Sequence, residues 1–154
     1  MAPWQQDLGR TTVLPLLPGI TDKNTDPKVI KRAAAAQIRL LNAELVIYTD
    51  GSASEGNKDG GAAAVVTRGA PSHPLVFETL MKRGAAITSS FDEEDRAMNI
   101  AIYYLSTSVI GLNANMITIV TDSQSLCAAL LGTDTEQELL RFRLRRLNRP
   151  LTIQ

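Results

Sequence analysis

The sequence predicts an α/β fold: a mixed sheet of three antiparallel strands followed by parallel strands, with helices packed on it. Three observations carry this. Apolar runs of strand length at 44–49, 61–67 and 75–81 lie close enough together to form an antiparallel meander. A long helical pattern over 91–108 separates them from the β-branched run MITIVT at 116–121. The chain has 154 residues, 44% hydrophobic and 21% charged, enough for the core of one domain of ordinary size.

Taken in order, residues 1–26 read as an irregular arm. Its apolar piece TTVLPLLPGI is broken by Pro15 and Pro18, so it is expected to lie extended against a surface. Trp4 could anchor that arm. Residues 27–41 predict a helix, with Asp26 as N-cap, Pro27 in the first turn, an alanine run that raises propensity, and Val29, Ala33 and Leu40 on an apolar side. The compact part starts near Ala43, giving a division into a 1–42 extension with one helix and a 43–154 domain. The three meander strands follow, the second and third joined by the turn GAPSHP, which holds His73 as a surface residue. After the helix at 91–108 and the strand at 116–121 come a short helix, SQSLCAALL, a loop, GTDT, and a helix over about 135–148. LTIQ then opens one more strand.

Sixteen basic residues balance sixteen acidic ones, so net charge does not favour nucleic acid or membrane as a partner, and any electrostatic function must be local. A single cysteine, Cys127, excludes an internal disulfide and a cysteine zinc site, and it is expected to pack in the short helix. With no signal-like start and no long apolar stretch, the expectation is an intracellular protein of cytoplasm or nucleus.

Three acids stand out. Asp50 follows the strand LVIYT and precedes a glycine; it is either a turn aspartate or an acid at the strand's end. Asp122 follows MITIVT and is either the N-cap of the short helix or an acid at the carboxyl end of a central strand, where ligands gather in open α/β sheets. In SSFDEEDRAMNIAIYYL, Ser90 and Glu93 have capping-box spacing, which gives Glu93 structural work. Glu94 instead aligns with Ala97, Met98, Ala101 and Leu105 on the core-facing stripe. There it either escapes to water at the first turn or needs a partner, since a buried carboxylate without one is costly. If Asp50, Glu94 and Asp122 converge, their hard oxygen ligands suit Mg²⁺ or Mn²⁺. Two such ions roughly 4 Å apart could clamp both oxygens of a phosphodiester displacement.

YTDGSA with the later GGAAAVV, SSFDEEDRAMNIAI and IVTDSQS together resemble a type 1 ribonuclease H over about residues 44–154. The Glu-x-x-Ala-x-x-x-Ala pattern from Glu94 to Ala101 fits that family's first helix and selects Glu94 over Glu93. TSSFDEE and TDSQSLCAALL are similar to ribonuclease H domains of non-LTR retrotransposon polyproteins. The resemblance implies metal-dependent endonucleolytic cleavage of the RNA strand of an RNA–DNA hybrid, read through 2′-hydroxyls and groove shape. It implies Asp50, Glu94 and Asp122 as catalytic ligands of two Mg²⁺ ions, with Mn²⁺ as substitute. Gly51, Ser52, Ser123 and Gln124 match positions that approach substrate, and an upstream reverse transcriptase region is implied as a partner. The family's fourth acid and loop histidine have no counterpart: Asp134 sits in a loop before the last helix, and His73 lies in a turn. The expectation is therefore a C-terminally truncated fold with the last strand and helix incomplete, and the alternative is a weak or inactive domain that binds hybrid or a protein partner. Arg141, Arg145 and Arg149, with Arg143 and Arg146 nearby, form a basic stripe that could grip phosphates, or a solvated face paired with Glu136 and Glu138, over a buried side of Leu140, Leu144 and Leu147. Tyr103 and Tyr104 are expected to pack.

Overall fold

The computed structural model describes residues 8–14, 26–41, 43–54, 58–68, 75–83, 89–132, 138–147 and 149–154. Trp4, His73, Asp134 and Glu136 lie outside them. The elements run β1 (Thr11–Val13), α1 (Pro27–Leu41), β2 (Leu45–Ser54), β3 (Lys58–Arg68), β4 (Leu75–Arg83), α2 (Ser90–Thr107), α3 (Val109–Asn113), β5 (Ile117–Val120), α4 (Gln124–Leu131), α5 (Glu138–Leu147) and β6 (Leu151–Ile153).

The strands form one sheet in the order β1-β6-β5-β2-β3-β4. β2, β3 and β4 are the expected antiparallel meander, while β2–β5, β5–β6 and β6–β1 are parallel. β2 is the hinge between the two halves. Its first four residues pair with β5, from Leu45 opposite Ile117 to Tyr48 opposite Val120, and its later residues pair only with β3. Asp50 is thus not the last residue of its strand, as the sequence suggested, but it lies just beyond the end of the parallel neighbour.

Helix α2 crosses β2 and β3, and its Ala97, Met98, Ala101 and Leu105 close over Leu45, Ile47, Ala64 and Val66. Leu126 and Leu130 of α4 and Leu140 and Leu144 of α5 complete that core, with Leu147 packed beside it. Burying a dozen such side chains, at about 1.5–3 kcal/mol each, is what offsets the ordering of the chain. Helix α1 begins as expected: the Asp26 carboxylate accepts the Lys28 N–H at 2.9 Å, and its carbonyl accepts from Val29 and Ile30. Val29, expected on an apolar side, is exposed.

Two elements were not anticipated. The arm was expected merely to rest on a surface. Instead Thr11–Val13 adds an edge strand, and Leu8 and Val13 enter the core. Three residues between a turn at Gly9 and the prolines that follow are too few for a strand pattern to show. Helix α3 is likewise a single short turn-and-a-half, pressed onto α2 at Gly111, where a Cβ would sit 2.7 Å from the Tyr104 carbonyl oxygen.

The basic stripe is also corrected. Arg141 is fully buried, and Arg149 lies past the end of α5, donating to the carbonyls of Leu105 and Ala114. Tyr104 packs in the core, but Tyr103 is exposed. Cys127 is buried as expected, and burial pushes its thiol up to about 11.

Candidate active site

Asp50, Glu94 and Asp122 come from three elements and meet at one spot. Each offers a carboxylate oxygen, and these oxygens all lie within 4.8 Å of one another. Asp50 and Asp122 face solvent, whereas Glu94 is buried.

The backbone explains the convergence. Residues 45, 47, 49 and 51 of β2 point to the α2 side of the sheet. At the last of these the chain has glycine: a Cβ on Gly51 would lie 2.2 Å from the Glu93 carbonyl carbon and 2.4 Å from the Glu94 nitrogen. The first turn of α2 therefore rests directly on the strand's backbone, which sets Glu94 beside Asp50. The Gly51 N–H also donates to the Glu94 carboxylate. On the other side, the Thr49 hydroxyl donates to the Val120 carbonyl at 3.1 Å, tying β2 to β5 where the parallel pairing ends.

Local caps settle which acids are free. The N-cap of α4 is Ser123, whose Oγ accepts the Leu126 N–H at 3.1 Å; Asp122 does not cap the helix. The N-cap of α2 is Ser89, not Ser90, and its Oγ accepts the Asp92 N–H at 3.0 Å. The expected capping box is therefore absent. Glu93 is instead fully buried and accepts from Arg96 Nε at 3.2 Å. The structural work assigned to Glu93 is real, but it is an ion pair one turn along the helix. Arg96 stands three residues later, a spacing the sequence displayed but the capping reading overlooked.

Among the described residues Glu94 has no such cation. Its Oε2 is buried and unpartnered among the described residues. Burial first, then the neighbouring Asp122 carboxylate and, more weakly, Asp50, raise its carboxyl from the ordinary 4.5 to about 7, against the lowering effect of the Gly51 N–H. A buried carboxylate that keeps one oxygen unpartnered among the described residues and is clustered with two other carboxylates fits a divalent cation with hard oxygen ligands.

Among the other expected positions, Ser52 is exposed, while Gly51 and Ser123 are half-buried; the side chain of Gln124 lies outside the described residues. The close-approach role of Gly51 was not foreseen, although an Asp-Gly pair in mid-strand with no tight hairpin after it was its signal.

The family model for RNase H matches residues 42–149. No curated protein matches the chain. Among solved structures, the chain is similar to LC11-RNase H1, isolated from compost by a metagenomic approach and solved in complex with an RNA/DNA hybrid. That likeness has 15% identity, covers 71% of this chain and 83% of that one, and has a TM-score of 0.57. RNase H1 from the halophilic archaeon Halobacterium salinarum NRC-1 is similar at 18% identity, over 71% and 83% of the two chains, with a TM-score of 0.52. The prototype foamy virus protease-reverse transcriptase is similar at 15% identity, over 73% of this chain and 17% of that one, with a TM-score of 0.51. At these identities the likeness is one of fold.

Proposed function

The chain belongs to the ribonuclease H family, and on that premise we propose that it is a metal-dependent endonuclease hydrolysing the RNA strand of RNA–DNA hybrids. The observation that carries this reading is the meeting of Asp50, Glu94 and Asp122, with one oxygen of the buried Glu94 unpartnered among the described residues. The three carboxylates would hold two Mg²⁺ ions, with Mn²⁺ as substitute. A bound divalent ion supplies Lewis-acid stabilisation of the phosphodiester's charge and activation of the attacking water.

The chain's own part is positioning. Gly51 lets α2 descend onto β2 and orients Glu94 through its N–H. The Thr49–Val120 bond keeps the Asp50 and Asp122 backbones in step. Ser123 relieves Asp122 of capping, so that its carboxylate stays with the cluster. With two acids exposed and one buried, the cluster is open on the side where a duplex can approach. Ser52 and Ser123 would present hydroxyls to the backbone or 2′-hydroxyls of a hybrid, with Gln124 next to them in sequence.

A retroelement setting, with a reverse transcriptase region as partner, is the finer part of this reading. It is supported by the sequence resemblance and by a fold shared with a segment of the foamy virus protease-reverse transcriptase. Among the described residues no helix is long and apolar enough to cross a membrane.

The test is hydrolysis of an end-labelled RNA–DNA duplex by the purified chain with Mg²⁺, with Mn²⁺ and with a chelator. Cleavage of the RNA strand alone, dependent on the cation, is the expected result. Hybrid binding with no turnover under either metal would leave a binding module and sink the nuclease reading.

A further inference from the structure

Strand β4 ends the sheet on the side away from β1. Among the described residues nothing pairs with its outer edge, although it runs for nine residues, Leu75–Arg83. It also carries Met81, 79% exposed, together with exposed Leu75 and Val76. Thr79, Leu80, Met81 and Lys82 of β4 form one wall of a groove of about 1420 Å³, whose other walls include Tyr103 of α2 and Phe142 of α5. Both aromatic residues are exposed, Tyr103 more than Phe142. Among the described residues the sheet therefore stops at a groove wall, with an unpaired row of backbone donors and acceptors and exposed apolar side chains on the strand. Soluble proteins usually guard such edges with charge, and β4 has Glu78 and Lys82.

Those two charges, of opposite sign, stand two residues to either side of Leu80. Glu78, Leu80 and Lys82 share a face, since they pair with Val66, Ala64 and Ala62 of β3, whose side chains point into the core under α2. Leu80 stands midway between them. Among the described residues neither Glu78 nor Lys82 has an ion-pair partner. We propose that β4 binds the β4 strand of a second copy of this chain, antiparallel about a two-fold axis at Leu80. The two sheets then join and the two α2 helices lie on the same side.

In that register Leu80 meets Leu80 of the second copy, Glu78 faces the second copy's Lys82, and Lys82 faces its Glu78. Moving the axis to Thr79 sets Glu78 opposite Leu80 and Lys82 opposite Val76, leaving all the charges uncompensated. The charge pattern thus selects one register and one partner, as cross-strand pairs do within a sheet. The added strand extends the wall of the groove and brings Met81 under cover.

The test is sedimentation equilibrium of the wild-type chain and of Glu78→Lys, Lys82→Glu and the double exchange, with circular dichroism confirming that each is folded. The wild type should dimerise, and more weakly at high salt. Each single reversal turns two attractive pairs into two repulsive ones, which should raise the dimer dissociation constant about thirtyfold. The double exchange should restore it. A wild-type chain that stays monomeric up to its solubility limit overturns the proposal. So does a dimer indifferent to both single reversals, or a double exchange as weak as the singles. Neither residue belongs to the acid cluster, so failure here leaves the nuclease reading untouched, and failure of hybrid cleavage leaves this one untouched.

Discussion

Arg141 and Glu94 are both charged side chains that the fold takes out of water, and it treats them in opposite ways. Arg141, fully buried, is saturated. Its Nη2 donates to the carbonyls of Ala129 at 2.7 Å and Gly132 at 3.1 Å, its Nε to Leu130 at 3.3 Å, and its Nη1 to Glu138 at 2.6 Å. Those carbonyls close the C-terminal end of α4, where a helix leaves its acceptors unpaired and favours positive charge. Glu94 sits just past the first turn of α2, set against Asp122 and Asp50, and among the described residues it keeps one oxygen unpartnered. Glu93, its chain neighbour, is as buried as Arg141 and has its cation in Arg96. A buried charge surrounded by opposite dipoles is architecture; a buried charge held among like charges needs something from outside the chain.

The sharpest way to break this contrast is to remove a charge at each end of it. Asp50→Asn keeps the shape of the exposed side chain and deletes one ligand charge. Hybrid cleavage should fall at least about a thousandfold, because the set proposed to hold the metal is lost, while the metal-free melting temperature stays level or rises. A variant that cuts the labelled duplex at the wild-type rate rejects the cluster as the site. Arg141→Met should do the reverse. Three helix-end carbonyls lose their donor, so stability should drop by about 3 kcal/mol, read from the urea midpoint, with Mn²⁺ affinity of the folded protein unchanged. If stability barely moves, the guanidinium is not what closes α4.

Gly51→Ala tests the strut between the two regimes. The new methyl cannot occupy a space 2.2 Å from the Glu93 carbonyl carbon, so α2 must lift at its first turn. The expected cost is about 1–3 kcal/mol, together with weaker Mn²⁺ binding by calorimetry, because Glu94 moves away from Asp50. Loss of stability with intact cation affinity would show that the close approach serves packing alone.

What the sequence made legible follows from the same physics. The meander strands and α2 are long, strongly patterned segments whose existence and order emerge from periodicity, and β5, though short, sits in the β-branched run MITIVT. Glu94 was readable because a carboxylate on an apolar stripe contradicts its neighbours. By contrast, β1 is three residues long and owes its place to pairing with β6 at the far end of the chain. Arg141 looked like one of a solvent-facing row because its partners are backbone carbonyls, which have no letter in a sequence. Asp122 was ambiguous until Ser123 was seen to cap α4. Adjacent residues can compete for a cap, and only geometry decides between them.

The smallest effect is the most specific to Glu94. Its carboxyl is raised from 4.5 to about 7, so the folded chain keeps a proton that the unfolded chain has released. By linkage, that contribution to stability is fully present below about pH 4.5 and is lost as pH climbs through 7. Glu94→Gln removes the titration. In the absence of cations the variant should match the wild type in acid and exceed it at pH 8 by about 1–2 kcal/mol, a figure reduced for solvent screening at the open side of the cluster. Adding Mn²⁺ should then stabilise the wild type in proportion to the logarithm of its concentration and leave the variant nearly unmoved, reversing their order. Denaturation curves for the two proteins across pH, with and without Mn²⁺, read both effects. If the curves ran parallel throughout, the strain at Glu94 would not be electrostatic, and the contrast with Arg141 would lose its physical basis.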